Sequence, residues 1–154
     1  MNEYLTKNFG YSEACVSASY PKLADKIVLT KADKINIKCI AIFIMQPIRD
    51  KFGRLDIESW KRDCRLNKKV GGVSNSDHRY GCAVDFVPYN FNSFGVFKWI
   101  VNESGLKYKE VIFYPQSENE FIHISMNNIY NNEECQQWIK YKGKYISIEE
   151  YENT

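Results

Sequence analysis

Residues 76–86 read SDHRYGCAVDF, and this segment places a histidine seven residues before an aspartate. The run from Cys82 to Val87 predicts a short strand, which Pro88 closes. Asp85 lies among the apolar residues of this strand, where an ionised carboxylate is costly unless it is paired or bound to a metal. The segment therefore predicts a buried strand whose one carboxylate has a specific partner.

The chain before this segment has the pattern of a helix followed by a strand. Thr30 followed by Asp33 resembles an N-terminal capping signal. Isoleucines then recur at spacings of three and four, at positions 37, 40, 44 and 48. Pro47 is expected to kink or restart this helix, and Gly53 to end it. Residues 55–60 alternate with the period of a strand.

The second half is predicted to consist mostly of strands. Ser93 can cap a helix, two β-like runs follow at 111–114 and 121–125, and Lys142-Gly143 suits a later hairpin turn. Helices first and hairpin-linked strands after predict an α+β domain, with the N-terminal helices packed against a small antiparallel sheet. No repeat or linker divides residues 1–154, so we expect a single domain.

Composition excludes several classes of protein. With 44% apolar and 26% charged residues, the chain is typical of a globular domain. The longest apolar run, residues 39–45, is far shorter than the roughly 20 residues that cross a bilayer. We therefore expect no stable membrane association, and synthesis in the cytoplasm without a signal peptide. A net charge of +2 gives no support for nucleic-acid binding, and we expect a monomer.

The chain contains two histidines, and both lie near acidic residues. A zinc ion in a hydrolase commonly has two imidazoles and a carboxylate as ligands, with a fourth position left for water. His78, Asp85 and His123 supply such a set, and Glu120 would be an unligated carboxylate near the metal. From the residues alone, other interpretations stay open. Histidines on strands are often merely packed or exposed, so a structural or interaction protein with incidental histidines is the alternative.

The order of these residues is similar to a known pattern. Ser76-x-His78-x(6)-Asp85 followed by Glu120-x-x-His123 resembles the D-alanyl-D-alanine metallopeptidase family. That family includes zinc D-Ala-D-Ala carboxypeptidases and phage L-alanyl-D-glutamate endolysins, and hedgehog signalling domains share its fold. Further matching segments lie upstream, at residues 59–62, 66–67 and 70–76. The resemblance covers about residues 8–126, whereas residues 127–154 match no motif and have no assigned role.

The resemblance implies a role for each matching position. The zinc ligands would be His78, Asp85 and His123. Glu120 matches the catalytic base, and Arg62 matches the arginine that holds substrate and stabilises the developing oxyanion. Ser76 matches a serine that helps to bind the substrate peptide. Trp60 and Lys61 replace the glycine and aromatic residue that usually precede the arginine, so the turn before Arg62 is expected to differ.

The function that the resemblance implies is zinc-dependent hydrolysis of peptide bonds in bacterial peptidoglycan stem peptides. The enzyme would be a D-Ala-D-Ala carboxypeptidase or an endopeptidase. It resembles a phage or prophage endolysin that acts on the cell wall after release. The alternative is a non-catalytic, zinc-containing module of the same fold that binds cell wall or peptide. Glu120 and Arg62 favour the enzyme, because a module without turnover has no chemical need for both.

Overall fold

The computed structural model describes residues 3–115, 120–128 and 134–154. The helices are α1 (Tyr11–Ala14), α2 (Pro21–Ala24), α3 (Lys31–Ile40), α4 (Gln46–Phe52), α5 (Cys64–Lys69), α6 (Ser93–Asn102) and α7 (Ile148–Glu152). A π-helix spans Ala41–Met45, and a 3-10 helix spans Asp77–Tyr80. The strands are β1 (Leu55–Ser59), β2 (Ala83–Pro88), β3 (Glu110–Tyr114), β4 (Phe121–Ser125), β5 (Gln136–Tyr141) and β6 (Lys144–Ile146).

The strands form one six-stranded sheet in the order β1-β2-β4-β3-β5-β6. The α+β class is confirmed, and the predicted antiparallel sheet is in fact mixed, because β3 and β5 pair in parallel while the other pairs are antiparallel. β4 already has β2 on one edge and β3 on the other, so β5 adds to the free edge of β3. There it runs opposite to β4 and therefore in the direction of β3.

The predicted helix over residues 30–53 is confirmed and contains a local irregularity. Thr30 and Asp33 form a reciprocal capping box at its start, and Gly53, with a φ of 77°, ends it. The π-helix lies immediately before Pro47, which lacks the N–H that a regular helix would need there. The recurring isoleucines are at most 1% exposed and form part of the core, at positions 37, 40, 44 and 48.

The hydrophobic core lies on one face of the sheet, and α6 packs on that face. Alternate strand residues point into it, among them Val84, Phe86, Ile122, Ile124 and Phe113. The side chain that caps α6 is Asn92 rather than Ser93, because its oxygen accepts from the backbone N–H of Gly95 at 3.0 Å. The intervening strand residues point to the other face, where Asp85 and His123 lie. In the described ranges, no helix has the length and apolar character needed to cross a lipid bilayer.

Candidate metal centre

His78 is held by a turn whose start and end are both fixed by the sequence. Ser76 lies at the N-cap of the 3-10 helix, and Gly81 ends it in the left-handed region at φ 73°. A Cβ at Gly81 would lie 2.8 Å from Cγ1 of Ile37, so the close packing of this turn against α3 also requires glycine. Cys82 then begins the approach to β2, with its N–H donating to the carbonyl of Asp77. His78 is thereby buried beside the start of the strand that carries Asp85.

Asp85 and His123 are brought together by the register of the sheet. They are paired residues on β2 and β4, which run antiparallel, and their neighbours along both strands pack into the core. Because paired residues project to the same face, the imidazole and the carboxylate meet on the side opposite the core. Ser59 on β1 pairs with Asp85 from the other side. The first strand thus brings its end, and the turn after it, to the same place.

The three predicted ligands converge on one point. Nδ1 of His123 lies 2.7 Å from Oδ1 of Asp85, and Nε2 of His78 lies 3.2 Å from the same oxygen. One ligand atom from each residue lies within 4.8 Å of the other two. Two imidazole nitrogens and one carboxylate oxygen are a donor set that suits zinc. The residues present therefore fit a metal ion that they would hold together.

Two of the ligands, His78 and Asp85, are oriented by hydrogen bonds that leave one atom of each available. Nδ1 of His78 donates to the carbonyl of Trp60 at 2.6 Å, which fixes the ring and leaves Nε2 directed at Asp85. Nη2 of Arg62 donates to Oδ2 of Asp85 at 2.9 Å, which leaves Oδ1 facing the two imidazoles. The fully buried Trp60 donates in turn to the carbonyl of Gly81 at 3.2 Å. Sequence reasoning treated Trp60 only as a departure from the family pattern and missed this positioning role.

Charge at the site is set by competition between burial and pairing. Burial alone would raise the pKa of Asp85, but the charge of His78 and hydrogen bonds from both histidines hold it well below its usual range. Burial lowers the pKa of His78, against the opposing effect of Asp85. A metal ion requires an ionised carboxylate and neutral imidazoles of these ligands, and both shifts are in the direction of those forms.

The ligands lie in a cleft with a volume of about 500 Å³. Arg62 and Ser76 both line it, so the structure brings these two predicted residues to the ligands. The cleft is also lined by a buried ion pair, in which Nζ of Lys109 lies 2.6 Å from Oδ2 of Asp77. Asn128 donates to the other oxygen of Asp77 at 2.6 Å. Polar groups with fixed partners therefore line the cleft in addition to the ligands.

Glu120 is the one predicted site residue that the structure does not bring to the ligands. It is exposed and lines neither this cleft nor the cavity beside it. Burial, and after it the charge of Glu120, raise the pKa of Tyr151 on α7. The ring of Tyr151 packs against Phe113 on the core face of the sheet. Glu120 therefore lies toward α7, and its role as catalytic base stays a prediction that this geometry does not support.

The C-terminal hairpin contributes to the wall of the cleft. Tyr145 on β6 lines the cleft, and it belongs to residues 127–154, which match no family motif. Burial, the negative charge around it and a hydrogen bond with Tyr145 raise the pKa of Tyr114, which also lines the cleft. The predicted hairpin turn is present, with Lys142 and Gly143 at φ 48° and 78°.

A family model described as Peptidase M15 matches residues 7–125. The chain belongs to the peptidase M15 family. This match confirms the resemblance to the D-alanyl-D-alanine metallopeptidases and includes the three candidate ligands, Arg62 and Ser76. M15 peptidases are zinc enzymes, in agreement with the donor set that this chain brings together. No curated protein matches the chain.

Proposed function

We propose that this M15 metallopeptidase is a monomeric, zinc-dependent hydrolase of peptide bonds in peptidoglycan stem peptides. The observation that carries the proposal is the convergence of His78, Asp85 and His123 at the base of an open cleft. A structural metal site would be closed by four protein ligands, whereas three ligands beside a cleft leave room for water and substrate. The stem-peptide substrate is inferred from the family, and the endolysin role is part of the proposal.

When bound, zinc supplies Lewis acidity, which polarises a peptide carbonyl and makes water more acidic. Arg62 would contribute both position and charge. Its Nε donates to Oγ of Ser59 at 3.0 Å and one Nη2 hydrogen to Asp85, so Nη1 and the second Nη2 hydrogen are not used by these two bonds. Because Arg62 lines the cleft, these remaining donors can stabilise negative charge that develops on a substrate carbonyl oxygen.

Digestion of purified peptidoglycan tests this function directly. We expect new amino groups and shortened stem peptides by mass spectrometry, loss of both after treatment with a chelator, and recovery when zinc is added back. The Asp85→Asn variant is the matched control, because it keeps the shape of the side chain but removes the anionic ligand. The masses of the products identify the scissile bond, and so distinguish a carboxypeptidase from an endopeptidase.

The second candidate is a non-catalytic, zinc-containing module that binds peptide or cell wall. One observation favours it, namely that Glu120, the expected catalytic base, lies outside the cleft. The same digestion decides between the two candidates. A protein that contains one equivalent of zinc and sediments with peptidoglycan, yet releases no amino groups, would be the binding module.

Turbidity measurements test the endolysin role separately. Lysis of permeabilised bacteria, with no lysis of intact bacteria by the added protein, is the expected result for an enzyme that reaches the wall only after release. Loss of lysis in Asp85→Asn shows that the effect depends on the metal centre.

A further inference from the structure

The cleft continues beyond the metal ligands into a second cavity with a volume of about 210 Å³. Both cavities are lined by Arg62, Asp85 and Phe121, so they meet at the candidate metal centre. The second cavity is also lined by residues 17–19 and by Glu58 of β1, none of which lines the cleft. A peptide bond placed at the ligands would therefore have space on both sides for neighbouring substrate residues.

Strand alternation and a β-bulge together place Glu58 and Ser59 in this second cavity. Ile57 pairs with Phe86, which packs into the core, so the next residue, Glu58, points to the opposite face, where Asp85 lies. Ser59, rather than Glu58, pairs with Asp85, so two residues of β1 span one step of β2. This bulge brings Ser59 to the face of Glu58, whereas a regular strand would point it to the core. Glu58 and Ser59 therefore line the same cavity, beside Asp85 and Arg62.

The carboxylate of Glu58 has the electrostatic surroundings of a cation-binding group. It is half-buried, and burial followed by the negative charges of Asp56 and Asp85 raises its pKa. Among the residues that the structure describes, no lysine or arginine forms an ion pair with it. The nearest cation in the cavity, Arg62, already donates to Asp85 at 2.9 Å. A partly desolvated anion without a protein partner favours a ligand that carries a positive charge.

We propose that the second cavity is a substrate subsite that binds a side chain ending in a primary ammonium group, with Glu58 as its acceptor. Ser17 and Ser19 line the same cavity, and their hydroxyls offer further acceptors for an ammonium group, which has three donors. The inference rests on the proposed function for the identity of the substrate, a peptide. It does not depend on which bond is cleaved.

Two peptides that differ only at one amine test the subsite. The first is a stem peptide with lysine, and the second is the same peptide with Nε-acetyl-lysine, both with an acetylated amino terminus. Hydrolysis of each is measured for the wild type and for Glu58→Gln. Glu103→Gln, a change of the same type at an exposed position at the end of α6, is the matched control.

We expect Glu58→Gln to lower kcat/KM about 10-fold for the lysyl peptide, as for the loss of one hydrogen bond to a charged group. The effect should appear in KM, with kcat little changed, and the acetyl-lysyl peptide should be hydrolysed equally by both proteins. Glu103→Gln should behave as the wild type. A loss of kcat that is equal for the two peptides would overturn the proposal, because Glu58 would then take part in the chemistry. Unchanged hydrolysis of both would also overturn it.

Binding measurements separate a failure of the subsite from a failure of the proposed function. If the wild type hydrolyses neither peptide, the proposed function is wrong for this substrate, and calorimetric titration with the same peptides decides the subsite. Tighter binding of the lysyl peptide by the wild type, lost in Glu58→Gln, supports it. Equal affinities for both peptides, or no binding of either, overturn it.

Discussion

Replacing Asp85 by asparagine should destabilise the metal-free protein as well as remove the metal. The carboxylate contacts Arg62 at 2.9 Å and the imidazoles at 2.7 and 3.2 Å. Asparagine keeps the shape but leaves the Arg62 guanidinium buried without its counter-ion. Removing one partner of a buried ion pair costs about 3–5 kcal/mol. Because 11% of the Asp85 side chain and 14% of the Arg62 side chain remain exposed, we expect a loss at the lower end of this range, about 3 kcal/mol of the free energy of unfolding.

Urea unfolding of the chelator-treated wild type and of Asp85→Asn measures this difference. The double variant Arg62→Met/Asp85→Asn is the control, because it removes both charges together. It should recover at least half of the lost stability, since a buried ion pair can often be replaced by apolar groups at little cost. Zinc content after dialysis, measured by atomic absorption, should fall from one equivalent to near zero in Asp85→Asn. A stability loss below 1 kcal/mol together with full zinc content would refute the assignment of Asp85 as a metal ligand and as the ion-pair partner of Arg62.

Three further substitutions test other parts of the structure. Glu120→Gln should keep activity within about threefold of the wild type in the peptidoglycan assay, because Glu120 is an exposed residue outside the cleft. A near-total loss of activity would instead support Glu120 as the catalytic base. Tyr145→Ala should raise KM about fivefold with little change in kcat, whereas Tyr89→Ala, at an exposed position outside the cleft, should not. Gly81→Ala should lower the free energy of unfolding by about 2–4 kcal/mol, measured by calorimetry, because backbone strain in the left-handed region adds to a clash with α3. Gly105 has a positive φ but open space around it, so Gly105→Ala should lower the free energy of unfolding only by the backbone strain, about 1–2 kcal/mol. Equal losses of stability in the two variants would contradict the clash at Gly81.

The metal centre could be predicted because its residue types are those that bind zinc and their order resembles a family pattern. An aspartate inside an apolar strand needs a partner, and the two histidines were the evident candidates. The structure brings together His78, Asp85 and His123 as expected. The carbonyl that orients His78 could not be predicted, since any residue at position 60 has one. Only the path of the chain places that carbonyl next to His78.

The position of Glu120 shows where a motif and strand geometry disagree. Its spacing of three from His123 would keep both side chains on one face of a helix. β4 begins at Phe121, and in an extended chain residues separated by three point to opposite faces. Phe121 and His123 both line the cleft, whereas Glu120, which precedes β4, is exposed and does not line it. The motif was matched by order and spacing alone, without regard to the extended backbone around His123.

Ser59 shows the reverse case, in which strand periodicity gives the wrong face. The alternation over residues 55–60 places Ser59 on the face of Ile57, which pairs with the core residue Phe86. The bulge against β2 cancels that alternation for one residue and places Ser59 opposite Asp85, in the same cavity as Glu58. A bulge depends on which residues of the partner strand form the ladder, and that pairing is non-local. The position of Ser59, whose hydroxyl accepts from Arg62, therefore depends on a register that no period in β1 specifies.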